Sequence, residues 1–179
     1  SQGKLNGNTV VTTVMSNMGL YKAFEAEGIN YEQTAVGDKY VAENMLENNY
    51  SIGGEQSGHV IFSRYAATGD GILTSFMIME ACVEQKATLC DLAKEMKVYP
   101  QILRNVRVAD KKTARENPKV VEAVEAAARA LSTDGRILVR ESGTEPLIRV
   151  MVEAGTEEIC AEHVNNVVRV MEEEGLVVE

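Results

Sequence analysis

Two arginines and two hydroxyl side chains surround one short turn in the second half of the sequence. Arg140 precedes the turn, Ser142 and Thr144 lie within it, and Arg149 follows it. A guanidinium group gives planar, two-point hydrogen bonds to phosphate oxygens, and hydroxyl and backbone N–H groups complete the binding of such an anion. This combination predicts a phosphate-binding turn. The alternative is an ordinary hairpin whose arginines are solvated.

The segments on either side of this turn predict a pair of β-strands. Apolar and charged residues alternate over residues 136–140 and again over 147–153, as in strands with one buried face. Between them, Gly143 is free to take positive φ, and Pro146 has a fixed φ. The predicted connection is therefore tight, with exposed backbone N–H groups beside the side chains that would bind phosphate.

A glycine-rich segment over residues 51–62 carries a second set of polar side chains. Glu55 and Ser57 are two residues apart, so in an extended loop they point the same way. A carboxylate accepts hydrogen bonds from two neighbouring hydroxyls, which suits the diol of a sugar ring. The alternative is a solvated glycine-rich turn. His59 is a candidate acid/base or phosphate donor, and a structural histidine is an equal alternative.

The sequence offers no metal site of its own. Asp70 lies between two glycines without a second carboxylate at ligand spacing, and a helix cap is the better interpretation. His163 falls within a predicted helix and is interpreted as structural. We therefore expect no metal ligands in this chain.

Composition excludes two classes of partner. The 179 residues include 27 acidic and 18 basic side chains, a formal charge of −9, and no apolar run long enough to cross a bilayer. Nucleic acid and anionic membranes bind basic surfaces, so neither is an expected partner. A small anionic ligand stays compatible, because a local arginine cluster binds phosphate whatever the net charge.

The cysteines indicate a reducing compartment. Cys82, Cys90 and Cys160 are odd in number and lack metal-like spacing, and we interpret all three as reduced core or near-core thiols of a cytoplasmic protein. No signal peptide is apparent. Strand-like residues follow Ser1 almost at once, which predicts that the chain is a piece of a longer one.

The order of predicted elements indicates two domains. Residues 1–97 alternate strands and helices, typical of an α/β domain with a mixed sheet and flanking helices, and include a long helix through Ile72, Phe76, Met79 and Val83. A boundary falls near Pro100. Residues 98–179 read β-α-β-β-α-β, which predicts a small α+β domain with an antiparallel sheet and helices on one face. The other sheet face would be free to line a cleft.

Four stretches of this sequence resemble the α-D-phosphohexomutases. The stretches are VMSN (14–17), VGDKYV (36–41), GGEQSGH (53–59) and RESGTEPLIRVMVE (140–153). They occur in the order found in that family, and the resemblance covers essentially the whole chain. It extends only to the third and fourth of the family's four domains.

The resemblance implies a function for the intact protein and roles for the residues singled out above. It implies interconversion of the 6-phosphate and 1-phosphate of glucosamine, through a phosphoserine and a hexosamine bisphosphate intermediate. Mg²⁺ and the phosphoserine belong to N-terminal domains that this chain lacks, so the chain alone is expected to be inactive. By this resemblance Glu55 and Ser57 would bind the sugar hydroxyls, and His59 would lie near the reacting oxygen. The non-reacting phosphate would be bound by Arg140, Ser142, Gly143 and Thr144, and Arg149 would support that loop.

Two alternatives remain open from the residues alone. The parent protein could act on mannose or glucose phosphates instead. The chain could also be a non-catalytic module that binds a sugar phosphate.

Overall fold

A computed structural model of the protein describes residues 3–94 and 96–178, which divide into two compact units, Ser1–Val98 and Tyr99–Glu179. Each unit has its own sheet. The sheet of the first unit has the strand order β2-β1-β3-β4, and that of the second has the order β5-β7-β6. The α/β unit followed by an antiparallel unit confirms the predicted fold class.

The first unit is a mixed sheet with flanking helices. Its elements in chain order are β1 (Thr9–Thr13), α1 (Met18–Ala26), β2 (Asn30–Thr34), α2 (Asp38–Asn48), β3 (Ile52–Gly54), β4 (Val60–Phe62), α3 (Gly71–Gln85) and α4 (Leu89–Leu92). Strand β1 is parallel to β2 and β3, whereas β3 and β4 form an antiparallel hairpin. The connections that follow β2 and β3 therefore leave the same edge of the sheet.

The core of the first unit lies between the sheet and α2. Val11 and Ile61 from the strands pack with Val41 and Met45 from the helix. Gly53 is required at the centre of this contact, since a Cβ there would lie 2.6 Å from the Met45 sulfur. The sheet can approach α2 closely only because β3 lacks a side chain at that position.

Three details of the first unit do not follow from local sequence pattern. Leu46 on α2 is apolar and yet 84% exposed. The N-cap of α1 is Asn17, whose side chain accepts from the Gly19 N–H, rather than the neighbouring Ser16. Cys90 is exposed, unlike the near-core thiol expected. Within residues 88–96 the structure forms the short helix α4, and residue 95 lies outside the described part.

The second unit packs two long helices against one face of a three-stranded antiparallel sheet. Its elements are β5 (Gln101–Arg107), α5 (Lys111–Glu116), α6 (Pro118–Leu131), β6 (Gly135–Glu141), β7 (Leu147–Ala154) and α7 (Glu157–Glu173). Ile148, Val150 and Val152 of β7 are fully buried in the same core as Val164 and Val167 of α7. The alternation read from the sequence therefore places the core face of β7 correctly.

The second unit also differs from the sequence prediction in two details. The short helix α5 was not predicted; Asp110 caps it by accepting from the Thr113 N–H. The expected fourth strand is a single bridge between Val108 and Val177. On α6, apolar spacing alone does not distinguish Ala128, which is exposed, from Ala123, which is buried.

The sheet face opposite α6 and α7 is closed at one end. Glu153 is fully buried there, and one of its carboxylate oxygens accepts a hydrogen bond of 2.6 Å from Arg136 Nε. Met151 is 1% exposed. The expectation of an open sheet face therefore holds only toward Arg140 and Arg149, which are half-buried.

No helix in the described ranges, 3–94 and 96–178, is both long and apolar enough to cross a membrane.

Candidate functional site

The two arginines predicted to bind phosphate are direct neighbours in the sheet. Arg140 on β6 pairs with Arg149 on β7, in an antiparallel register that continues to Glu141 and Ile148. Residues opposite each other in an antiparallel pair project to the same face, so both guanidinium groups lie on the side away from α6 and α7. The connection 142–146 leaves this pair and returns to it.

The Arg140 side chain has no partner in the described part of the chain. Among residues 3–94 and 96–178, no hydrogen bond or ion pair to its side chain is formed. Partial burial, and then the positive charge of Arg149, lower the pKa of the Arg140 guanidinium below its ordinary value. Two like charges side by side and half-buried are unfavourable, and a bound anion would relieve that repulsion.

Arg149 is held by the connection itself. Its Nη2 donates to Glu145 Oε2 at 3.2 Å and, at a longer 3.4 Å, to Ser142 Oγ. Its Nε is buried and has no partner among the described residues. Arg149 thus braces the loop with one end of its guanidinium group and keeps one buried donor unsatisfied.

The tip of the connection presents donors that nothing in the described part of the chain uses. The backbone N–H groups of Gly143 and Thr144 and the exposed Thr144 hydroxyl form no hydrogen bond there. Gly143 does not adopt the positive φ that its type allows, and a Cβ at this position would meet nothing within 4 Å. The glycine leaves open space in front of the N–H groups, which suits close approach by an anion.

Ser142 and Lys111 hold the connection in shape. Ser142 is 1% exposed, and its Oγ accepts from the Glu145 N–H at 3.4 Å, so the hydroxyl lies inside the loop rather than at its tip. Lys111 Nζ donates to the Ser142 carbonyl oxygen at 2.8 Å. This lysine, at the start of the unpredicted helix α5, places a further positive charge beside the loop.

In the first unit, Glu55, Ser57 and His59 lie in the hairpin turn between β3 and β4. The Glu55 N–H donates to the His59 carbonyl oxygen at 2.9 Å, and the Gly58 N–H donates to the Glu55 carbonyl oxygen at 3.0 Å. Gly58 has φ +92, which requires glycine. The expectation of an extended loop was wrong, because these bonds close a tight turn. Ser57 is exposed, and its hydroxyl has no partner in the described residues.

The segment after β2 orients this turn. Glu55 is half-buried, and its Oε1 accepts from the Gly37 N–H at 2.9 Å. His59 Nε2 lies 3.7 Å from Asp38 Oδ2, both side chains being about half exposed. Because β2 and β3 end at the same edge of the sheet, the start of α2 reaches the hairpin turn. One oxygen of Glu55 stays available for a ligand.

Gly69 leaves room for the imidazole of His59. A Cβ at residue 69 would lie 2.2 Å from His59 Cδ2. We expect Gly69→Ala to displace the imidazole away from Asp38 while costing little stability, since an exposed ring can rotate. Chemical shifts of the His59 ring in NMR spectra measure this displacement. Gly71→Ala is the matched control, because a Cβ there meets nothing within 4 Å; an unmoved His59 signal in Gly69→Ala would contradict the expectation.

The residues described here do not fit a magnesium site. No three histidine, cysteine, aspartate or glutamate side chains converge in ranges 3–94 and 96–178. The Asp70 Oδ1 accepts from the Ile72 and Leu73 N–H groups, which makes this aspartate the N-cap of α3, the interpretation favoured from the sequence.

Sequence reasoning missed the residues that support the two turns. Lys111, Gly37 and Gly69 had not been singled out for any such role. For Lys111 and Gly69 no local signal existed, since only the fold brings them to Ser142 and His59. Gly37 and Asp38 lie in the stretch 36–41, so that stretch already indicated their neighbourhood.

An α/β unit with a carboxylate-bearing turn, followed by a small antiparallel unit whose loop 142–146 is flanked by two arginines, is the fold of domains III and IV of the phosphohexomutases. Residues 1–99 match the α/β/α domain III of phosphoglucomutase/phosphomannomutase, and residues 103–170 match the C-terminal domain of the same proteins. The chain belongs to the phosphoglucomutase/phosphomannomutase family.

Two curated relatives of high similarity carry the same name. A phosphoglucosamine mutase from Lachnospira eligens is 61% identical over 98% of this chain, and one from Bacillus subtilis is 53% identical over 97%. The chain spans 39% of the length of each.

Solved structures share the fold at low sequence identity. The N-acetylphosphoglucosamine mutase of Aspergillus fumigatus superposes with a TM-score of 0.79 at 19% identity, over 94% of this chain and 39% of that one. An N-acetylglucosamine-phosphate mutase of the α-D-phosphohexomutase superfamily superposes with a TM-score of 0.75 at 23% identity, over 90% of this chain and 38% of that one.

Proposed function

We propose that this chain is the substrate-holding, C-terminal portion of a phosphoglucosamine mutase, which interconverts glucosamine 6-phosphate and glucosamine 1-phosphate. The names of the relatives at 61% and 53% identity support the amino sugar over mannose or glucose. The three free cysteines support a cytoplasmic location.

The observation that carries the proposal is the unpartnered Arg140 beside Arg149. A half-buried guanidinium without a counter-charge is unfavourable unless a ligand supplies one. Next to it, the free N–H groups of Gly143 and Thr144 and the Thr144 hydroxyl are donors without acceptors. A phosphate dianion accepts from all of these at once, which an ordinary solvated hairpin does not require.

We assign the loop 142–146 to the phosphate that does not react. Its donors are fixed by the backbone and by Arg149, so they suit a group that must be held in one position while the other end of the sugar reacts. In this assignment Ser142 acts from within the loop, since its hydroxyl is buried against the Glu145 N–H. Direct contact falls to Arg140, Gly143 and Thr144.

We assign the sugar hydroxyls to Glu55 and Ser57, with His59 near the reacting oxygen. The hydrogen bond from Gly37 fixes the Glu55 carboxylate, and its second oxygen can accept from a sugar diol. The Ser57 hydroxyl is exposed and has no partner in the described residues. A clamp of hydroxyl and carboxylate groups tolerates a sugar bound in either of two orientations, as a 6-phosphate or a 1-phosphate.

The phosphoserine and Mg²⁺ of this reaction would be held by the N-terminal domains of the longer protein. No cluster in the described residues fits the metal. A structure of the Aspergillus fumigatus enzyme was determined with GlcNAc-6P and magnesium, which supports metal dependence in that relative.

The test compares this chain with the longer protein from the full reading frame. The longer protein is expected to turn over glucosamine 6-phosphate faster than mannose or glucose 6-phosphate, and the 179-residue chain is expected to show no turnover. Turnover by the chain at an enzymatic rate would contradict the assignment of the chemistry to the N-terminal domains. A preference for mannose or glucose would instead identify a different hexose mutase.

A second prediction concerns Glu55→Gln in the longer protein. The substitution keeps size and removes the charge that accepts from two hydroxyls, so discrimination between sugar phosphates should fall while inorganic phosphate inhibits as before. The expected loss for the amino sugar is about 10-fold, as for one hydrogen bond to a charged group. Competition assays measure the affinities for sugar phosphate and for inorganic phosphate. Equal weakening of the two would contradict the role of Glu55 in binding the sugar hydroxyls.

A further inference from the structure

The most apolar exposed surface of the first unit lies on α3. Ile72, Phe76, Met79 and Val83 recur at helical spacing and are 73%, 62%, 51% and 76% exposed, respectively. These four residues form one continuous stripe, which we call the α3 outer face. No side chain in the described part of the first unit buries it.

Helix α3 is also incompletely packed on its other side. An open groove of about 690 Å³ runs along it, lined by Met77, Ile78 and Ala81 of the helix, by Ile29 and Phe62, and by the charged residues Lys4, Glu80 and Glu84. None of the helix's 15 residues is buried, although most are apolar. A helix that is apolar on two sides is typical of one buried between layers of structure.

The α3 outer face carries no charge of its own. The charged residues of α3 are Glu80 and Glu84, and both lie within 3.5 Å of Lys4 Nζ. The stripe between Ile72 and Val83 is therefore purely apolar, with Ser75 and Cys82 beside it. Such a surface favours an apolar protein partner over a charged ligand.

We propose that the α3 outer face is the docking surface for the N-terminal portion of the longer protein. This inference rests on one part of the proposed function, that the chain is the C-terminal portion of a longer mutase. Residues 1–99 match the third domain of the family, and the chain spans 39% of its curated relatives. The remaining length of those relatives supplies a covalently attached partner.

A tethered domain suits this surface better than a second copy of the chain. A stable interface between free proteins buries about 800 Å² on each partner, more than four side chains on one helix supply. A covalent link raises the effective concentration, so a smaller apolar patch is sufficient. Two copies would also bring together chains that each carry a formal charge of −9.

Hydroxyl-radical footprinting tests this without any substrate. Phe76 and Met79 are reactive side chains, and their oxidation is compared by mass spectrometry in the 179-residue chain and in the longer protein. Oxidation should fall about fivefold or more in the longer protein, because a half-exposed side chain becomes buried. Leu46, 84% exposed on α2, is the control and should label equally in both.

Each other outcome overturns the inference. Protection that appears in the chain alone and rises with concentration would identify a second copy as the occupant. Equal oxidation of Phe76 and Met79 in both proteins would show that the α3 outer face is not covered in the longer protein. A longer protein that turns over sugar phosphate without protection would refute the docking surface only, and a protected but inactive one would refute only the proposed function.

A substitution provides the second measurement. Val83→Glu should leave the melting temperature of the 179-residue chain within about 2 °C, since the side chain is exposed there. In the longer protein it should lower the melting temperature by more than about 4 °C, because a charge would be buried without a partner. Leu46→Glu is the matched control and should leave the melting temperatures of both proteins unchanged. An equal change in melting temperature of both proteins on Val83→Glu would contradict docking.

Discussion

Arg140→Ala is expected to weaken binding of glucosamine 6-phosphate by about 10- to 150-fold, the effect of losing roughly 1.5–3 kcal/mol of charge-assisted hydrogen bonding. The same substitution should not destabilise the fold and should stabilise it slightly. Arg140 has no partner in the described residues and lies opposite the like charge of Arg149, so its removal relieves repulsion. Isothermal titration calorimetry measures the affinity, and denaturant unfolding measures the stability.

Opposite signs for binding and stability distinguish a ligand-binding arginine from a structural one. Arg129→Ala removes the same charge from α6, where Arg129 forms an exposed pair with Glu125, and controls for the change in net charge. Arg140→Lys keeps the charge but loses the planar two-point geometry. Its affinity for glucosamine 6-phosphate should therefore fall between that of the unsubstituted protein and that of Arg140→Ala. Unchanged affinity in Arg140→Ala would exclude Arg140 from the phosphate site.

Arg136→Met is expected to have the largest effect on stability of any substitution considered. It leaves the Glu153 carboxylate fully buried without the guanidinium that donates to it at 2.6 Å. Breaking a buried pair by removing one partner costs about 3 kcal/mol or more, because the remaining charge stays desolvated. Exchange of β7 amide hydrogens reports the opening free energy of the second unit and should fall by that amount.

The matched control is Arg129→Met, the same substitution at the exposed pair with Glu125, whose side chains are 69% and 63% exposed. An exposed pair contributes little, so the expected change is below about 0.5 kcal/mol. Equal effects of the two substitutions would mean that the Arg136–Glu153 pair is no more important than a surface contact. A small effect of Arg136→Met alone would show that Glu153 is accommodated by its other contacts, including Gln101.

The buried pair also bears on the phosphate site. Glu153, Met151 and Arg149 lie on the same face of β7, and Arg136 and Arg140 project from the neighbouring β6. One arginine in this row is neutralised by a buried carboxylate, whereas Arg140 is not. The row therefore separates a structural guanidinium from one that is free for an anion, a distinction that the sequence does not contain, because arginine stands at both positions.

The sequence by itself determined the order and type of most elements. Alternation over 136–140 and 147–153 identified β6 and β7 and the buried face of β7, because a strand's period of two leaves little choice once one face is apolar. Four stretches also identified the family, and the matches to its third and C-terminal domains agree. The candidate residues of each turn were correctly predicted to lie close together, because each set comes from one short stretch of the chain.

Only the tertiary structure decided which of these residues are free. Arg140 and Arg149 are the same residue type at equivalent strand positions, yet Arg149 is braced by Glu145 and Arg140 has no partner in the described residues. Ser142 is buried, and Gly37, Lys111 and Gly69 approach the turns from distant parts of the chain. Likewise, periodicity gives a helix an apolar stripe, but only packing decides whether it is covered, as Leu46 and the α3 outer face illustrate. Local pattern fixes the side of an element on which a residue lies; the neighbours that satisfy or bury it come from elsewhere in the fold.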